Sequence, residues 1–233
     1  MNTISYPTND GKVNTAGILF DLDGVLVDST DLHVRAYERV FQRAGLEFSE
    51  EARRAVGQGK ARSLVIELAL PQAPTELRQR LAEAKPNTLE TLLSEHGDCA
   101  LPGARETIHA LRDAGVPIGI VTNSRAPHIW LRSVGIASLV QVVVTGSDVS
   151  SPKPSPEGYL QGAARLALEP ERCLAVEDSE DGCRAARDAG MRVLVIADQR
   201  PPWLDARDDY VDRLRPAEVL RMLGATPTAG SRS

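Results

Sequence analysis

Short unbroken apolar runs alternate with amphipathic stretches along most of this chain. The runs fall at 16–20 (A-G-I-L-F), 117–121 (P-I-G-I-V), 139–144 (L-V-Q-V-V-V), 173–176 (C-L-A-V) and 192–197 (R-V-L-V-I-A). Strands covered on both faces of a parallel sheet read this way, as continuous runs rather than alternations. Between them apolar residues recur at three-to-four spacing, which predicts helices over 103–113, 127–134, 155–167, 180–189 and 216–223. Gly115, Gly135 and Gly190 stand where helix C-caps belong. Strands alternating with helices predict βαβ units and an α/β fold, a Rossmann-like doubly wound parallel sheet.

The pattern changes between the first and second runs. Helical spacing repeats over 32–44, 49–56, 61–69 and 75–96, with no convincing strand among them. The chain therefore divides into a first core segment at 1–29, a small helical insert at 30–99, a second core segment at 100–224 and a disordered tail at 225–233. Residues 1–14 are polar and expected to be loose.

Composition narrows the function classes. With 233 residues, 42% hydrophobic and 25% charged, this is ordinary globular protein. A net charge of −5 supplies no basic field, so nucleic acid is not an expected partner. No apolar stretch reaches the ~18 residues of a membrane span, and the N-terminus lacks a signal-peptide core. A cytoplasmic protein, a monomer or weak dimer, is the expectation. Cys99, Cys173 and Cys183 lack metal-ligand spacing and read as reduced interior thiols. Lysine is rare, confined to Lys12, Lys60, Lys85 and Lys153, so each marks a place where a point charge was kept over a planar fork.

Each core run ends in a distinctive polar group. After 16–20 comes D-L-D-G with Asp21 and Asp23; after 117–121, Thr122-Asn123-Ser124. The loop after 144 ends in Ser151-Pro152-Lys153-Pro154, and 173–176 is followed by Glu177-Asp178-Ser179. Ligands of open parallel sheets bind at the carboxyl ends of the strands, so these groups converge if the strands lie side by side. Four carboxylates in one pocket repel unless a cation neutralises them. A hard divalent ion such as Mg²⁺ suits that oxygen set. Lys153, the Thr122 hydroxyl and the backbone N–H groups of the turn suit phosphate oxygens.

The ordered set D-L-D-G, T-N, K-P-S-P and E-D-S-E-D-G-C-R-A-A-R-D-A-G-M resembles the haloacid dehalogenase superfamily. More narrowly, it is similar to the β-phosphoglucomutase and phosphoglycolate phosphatase branch, which carries a helical cap after the first motif. The resemblance spans about 16–223. It implies that Asp21 is the nucleophile that forms an aspartyl-phosphate. It makes Asp23 the general acid–base, with its carbonyl on the metal. An aspartate at this position favours phosphate esters over C–halogen or P–C bonds. Asp178 resembles the direct metal ligand and Glu177 its companion carboxylate; Thr122, Asn123 (mainly through its N–H) and Lys153 resemble the phosphate binders. In the insert, G-Q-G-K-A-R-S-L with Lys60 and Ser63 resembles the cap's specificity loop, and His33 falls where mutase relatives carry a histidine. Arg125 is a further substrate-contact candidate. Ser179 reads equally as a helix cap, Asp181 as helix-dipole compensation and Asp28 as hinge geometry. The implied activity is Mg²⁺-dependent hydrolysis of a small phosphorylated metabolite, such as a sugar phosphate. A β-phosphoglucomutase-type sugar phosphomutase is the alternative.

Overall fold

The computed structural model describes residues 16–60 and 62–225, and in it the apolar runs form one six-stranded sheet. The strands are β1 (Gly17–Phe20), β2 (Ile118–Val121), β3 (Val142–Val144), β4 (Cys173–Glu177), β5 (Arg192–Ile196) and β6 (Asp209–Val211). Their order is β3-β2-β1-β4-β5-β6, every neighbouring pair parallel. This is the doubly wound arrangement expected from the sequence, with β1 at the point where strand order reverses. β1, β2 and β4 are buried along their whole length, which is why each reads as an unbroken apolar run.

Two strands depart from expectation. The run at 139–144 begins as a single 3-10 turn, Ala137–Leu139, and pairs only from Val142. Gln141 causes the delay: its N–H bonds Ile118 O at 2.9 Å, and its side-chain Oε1 accepts from Ile118 N at 2.7 Å. β6 was not foreseen. It is a three-residue edge strand, D-Y-V, with its first two residues exposed, so it carries no apolar signal.

The chain divides into two compact units: residues up to Val27 with those from Ala100 onward, and Asp28–Cys99. The second unit holds α1 (Thr30–Arg43), α2 (Glu50–Gly57), α3 (Arg62–Ala69) and α4 (Thr75–His96). Ser49 caps α2 by accepting from Ala52 N. The core of this unit gathers Tyr37, Val40, Phe41, Phe48, Ala52, Val65, Ile66 and Leu81. Phe48 stacks on Tyr37 at 5.2 Å and meets Phe41 edge-on at 5.0 Å.

The sheet-bearing unit adds α5 (Ala104–Asp113), α6 (His128–Ser133), α7 (Glu157–Arg165), α8 (Glu180–Asp188) and α9 (Pro216–Leu223). α7 and α8 bury Tyr159, Ala163, Cys183, Ala185 and Ala186 against Leu19, Val121, Ala175 and Val193 of the sheet. Cys99, Cys173 and Cys183 are free and buried. Among the described residues no helix is long and apolar enough to cross a membrane. The expected loose N-terminus and the tail from 226 onward lie outside the described residues.

Candidate active site

The register of the central strands brings two carboxylates together. Phe20 pairs with Val176, and Asp21 N–H donates to Val176 O at 2.9 Å. Asp21 and Glu177 therefore leave neighbouring strand ends side by side. The chain after Asp21 is pinned by its apolar residues: Leu22, Val25, Leu26 and Val27 are all buried, and Leu22 O accepts from both Leu26 N and Val27 N. The turn passes tightly against Asp178. Gly24 has φ +80°, and a Cβ there would lie 1.9 Å from Asp178 Oδ2, so only glycine fits. A side-chain oxygen from each of Asp21, Glu177 and Asp178 lies within 4.8 Å of the others. Asp23 is half-buried beside them; its carboxylate is not one of the clustered three.

Lys153 reaches the cluster from the loop before α7. Its Nζ donates to Asp21 Oδ1 and to Glu177 Oε1, each at 2.5 Å. The loop is braced at two points. Asn123 Oδ1 accepts from Lys153 N at 3.1 Å, and the Glu157 carboxylate accepts from Ser150 N, Ser150 Oγ and Ser151 N. Asn123 thus uses its side chain to tie the turn after β2 to the lysine loop, a role its sequence position did not disclose. Thr122 is buried, and its Oγ1 accepts from Ser124 N at 3.0 Å, which leaves the hydroxyl proton to donate elsewhere.

Glu177 is wholly buried at the end of β4. Oε1 accepts from Lys153 and from Tyr159 Oη at 2.7 Å; Oε2 accepts from Ser179 Oγ at 3.1 Å and Asp178 N at 3.3 Å. Ser179 does two jobs, since its Oγ also accepts from Gly182 N at 3.2 Å and caps α8. Gly182 is dictated by Glu177: a Cβ there would sit 2.0 Å from Oε1. Tyr159 escaped the sequence reading because it sits on the apolar face of α7. The signal was present, since a buried tyrosine hydroxyl needs a partner.

The charges are out of balance without a cation. Burial pushes the Asp21 carboxyl well above the usual carboxylate range; Lys153 opposes that, while Glu177, Asp178 and Asp23 reinforce it. Asp178 keeps an exposed edge, yet desolvation and then the Glu177 charge push it up to about 7. Lys153 moves the other way from a buried amine. Burial alone would lower it, but Asp21 and Glu177 outweigh that and hold its proton more tightly than usual. An all-oxygen cluster with surplus negative charge and a single ammonium suits a hard divalent cation.

Each remaining candidate is described within its own unit. Arg125 is exposed on the loop before α6. In the helical unit, Lys60 and Ser63 are exposed, and Ser63 lines a cleft with Glu67, Thr75 and Arg78. His33 Nδ1 lies 2.5 Å from Nζ of the buried Lys85, a lysine that sequence reading noted without a role. That ammonium also lies 5.2 Å from the Tyr37 ring centroid.

The chain has relatives among known proteins. The family model for haloacid dehalogenase-like hydrolases matches residues 15–190. The phosphorylated carbohydrates phosphatase of Thermotoga maritima is 31% identical over 216 residues, 88% of this chain and 97% of that one. The phosphoglycolate phosphatase of Salmonella typhi is 33% identical, over 76% of this chain and 79% of its own. Among solved structures, a β-phosphoglucomutase from Clostridium difficile superposes with a TM-score of 0.76 at 22% identity, covering 90% of this chain and 97% of that one. At that identity the likeness is one of fold.

Proposed function

The chain belongs to the haloacid dehalogenase-like hydrolases, and on that premise we propose that it is a Mg²⁺-dependent phosphatase of a small phosphorylated metabolite, with sugar phosphates the first substrate class to test. The observation that carries the reading is Asp21: a strand-end carboxylate held by Lys153 and set within 4.8 Å of two further carboxylates. Asp21 and Asp178 would hold the metal through their carboxylates and Asp23 through its main-chain carbonyl, with Glu177 behind them as the outer carboxylate. When bound, Mg²⁺ supplies the positive charge that lets an anionic nucleophile meet an anionic phosphate.

The chain's own residues account for the rest. An Asp21 carboxylate oxygen attacks phosphorus, and the bond from phosphorus to the ester oxygen breaks. Asp23, two residues on and half-buried, gives its proton to the departing oxygen. It then takes a proton from the water that attacks the aspartyl-phosphate; inorganic phosphate leaves and Asp21 is restored. Lys153, the Thr122 hydroxyl and Asn123 N–H bear the phosphoryl oxygens.

Two relatives support the substrate class by name, one a phosphatase of phosphorylated carbohydrates and one of phosphoglycolate. The test is phosphate release from a generic phosphate ester and a panel of sugar phosphates with Mg²⁺. Asp21→Asn is expected to lower kcat at least about a thousandfold, as removal of a covalent nucleophile does. Equal rates in the two proteins would sink the assignment.

A further inference from the structure

Tyr159 has no exposed surface, and the reaction as written makes no use of it. Its hydroxyl nevertheless donates to Glu177 Oε1 at 2.7 Å, the same oxygen that accepts from Lys153 Nζ. Its ring lies under that ammonium, with Nζ 5.2 Å from the centroid. The other Glu177 oxygen accepts from Ser179 Oγ and Asp178 N. Each oxygen thus has two donors, which fills the lone pairs of a carboxylate. A carboxylate held at four points cannot turn without leaving a buried donor unpaired. Lys153 is then gripped from behind by Glu177 and faces Asp21 in front. An ammonium has three N–H bonds; two are spent on these carboxylates, and one remains for a phosphoryl oxygen.

We propose that Tyr159 is a positioning residue of this site: its hydroxyl fixes Glu177, and Glu177 so fixed aims Lys153 at the nucleophile and the transferring phosphoryl group. The proposal rests on the phosphatase reading. It is separable from it, because the nucleophile is tested by Asp21→Asn and the anchor by a residue that touches neither metal nor substrate.

The variant is Tyr159→Phe, which keeps the ring and deletes one oxygen. With the best ester from the panel and saturating Mg²⁺, kcat is expected to fall about tenfold, the scale of one hydrogen bond to a charged group. KM and the Mg²⁺ dissociation constant are expected to stay within about twofold, with one Mg²⁺ site per chain by calorimetry. That split belongs to a group acting through the lysine. A kcat within about twofold of wild type overturns the proposal. So does a loss of rate matched by fewer Mg²⁺ sites per chain, since that is lost fold, or a loss carried by KM alone. Glu177→Gln is the second variant, because it keeps an acceptor for Tyr159 but drops the charge that grips Lys153. There kcat is expected to fall at least as far, with the Mg²⁺ dissociation constant rising as well because Glu177 is also the outer carboxylate of the metal cluster, and wild-type kcat in it overturns the proposal equally.

Discussion

Asp178 and Asp21 both hold protons more tightly in the folded chain than in the unfolded one, Asp178 up to about 7. Their contribution to stability is therefore complete below the ordinary carboxylate range near pH 4 and is lost as pH rises, for Asp178 through about 7. Without metal the protein should lose melting temperature from about pH 5 to about pH 8. Mg²⁺ binds the ionised carboxylates, so its stabilisation should be the larger at the higher pH. At about a hundred times its dissociation constant the gain should be about 5 to 10 °C for a chain of this size. Scanning calorimetry with EDTA or Mg²⁺ at the two pH values checks this, and equal metal shifts at both would remove the charge argument. These carboxylates were legible because four motifs each closed an apolar run. Tyr159 and Lys85 were not, because a residue on the apolar face of a helix reads as core. Their polar ends show only when the partner from another element is known, Glu177 for one and His33 for the other.

At the scale of elements, the apolar runs forecast the central strands because those strands are buried on both faces. The signal faded where burial did: at β6, exposed on the sheet edge, and at the start of β3, where Gln141 spends its side chain on the backbone of β2. The longest helix hides a subtler feature. Pro86 lies inside α4, lacks an N–H, and so leaves Ala82 O without its helical donor. Arg62 Nη1 donates to that carbonyl at 3.2 Å, repairing α4 from the first turn of α3. The repair predicts coupling. Arg62→Ala should cost about 1 kcal/mol in the wild-type chain. It should cost close to nothing beside Pro86→Ala, where the restored N–H takes the carbonyl. Urea unfolding of the four members of the cycle measures it; additive effects would mean that Arg62 does not serve the proline gap.

For the whole molecule, every group given a part in the proposed chemistry comes from the sheet-bearing unit, and none from Asp28–Cys99. That explains why the reaction type was legible while the substrate was not: the sheet fixes strand ends, and strand ends carry the motifs. The entry and exit of the helical unit run as a short ribbon. Val27 bridges Ala100, Asp28 N donates to Cys99 O at 2.8 Å, and Leu101 N donates to Leu26 O at 3.0 Å, which gives the D-G-V-L-V-D continuation of the first motif a structural purpose. The remaining question about the reaction is what receives the phosphoryl group. A phosphatase and a sugar phosphomutase share Asp21, Asp23 and Lys153 and differ in whether water or a sugar hydroxyl takes the phosphate. Two named relatives are phosphatases, so hydrolysis is the expected fate. With β-glucose 1-phosphate, Mg²⁺ and a trace of a sugar bisphosphate, inorganic phosphate and free glucose should appear in equal amounts, with no glucose 6-phosphate. Isomerisation without phosphate release would move the protein to the mutases.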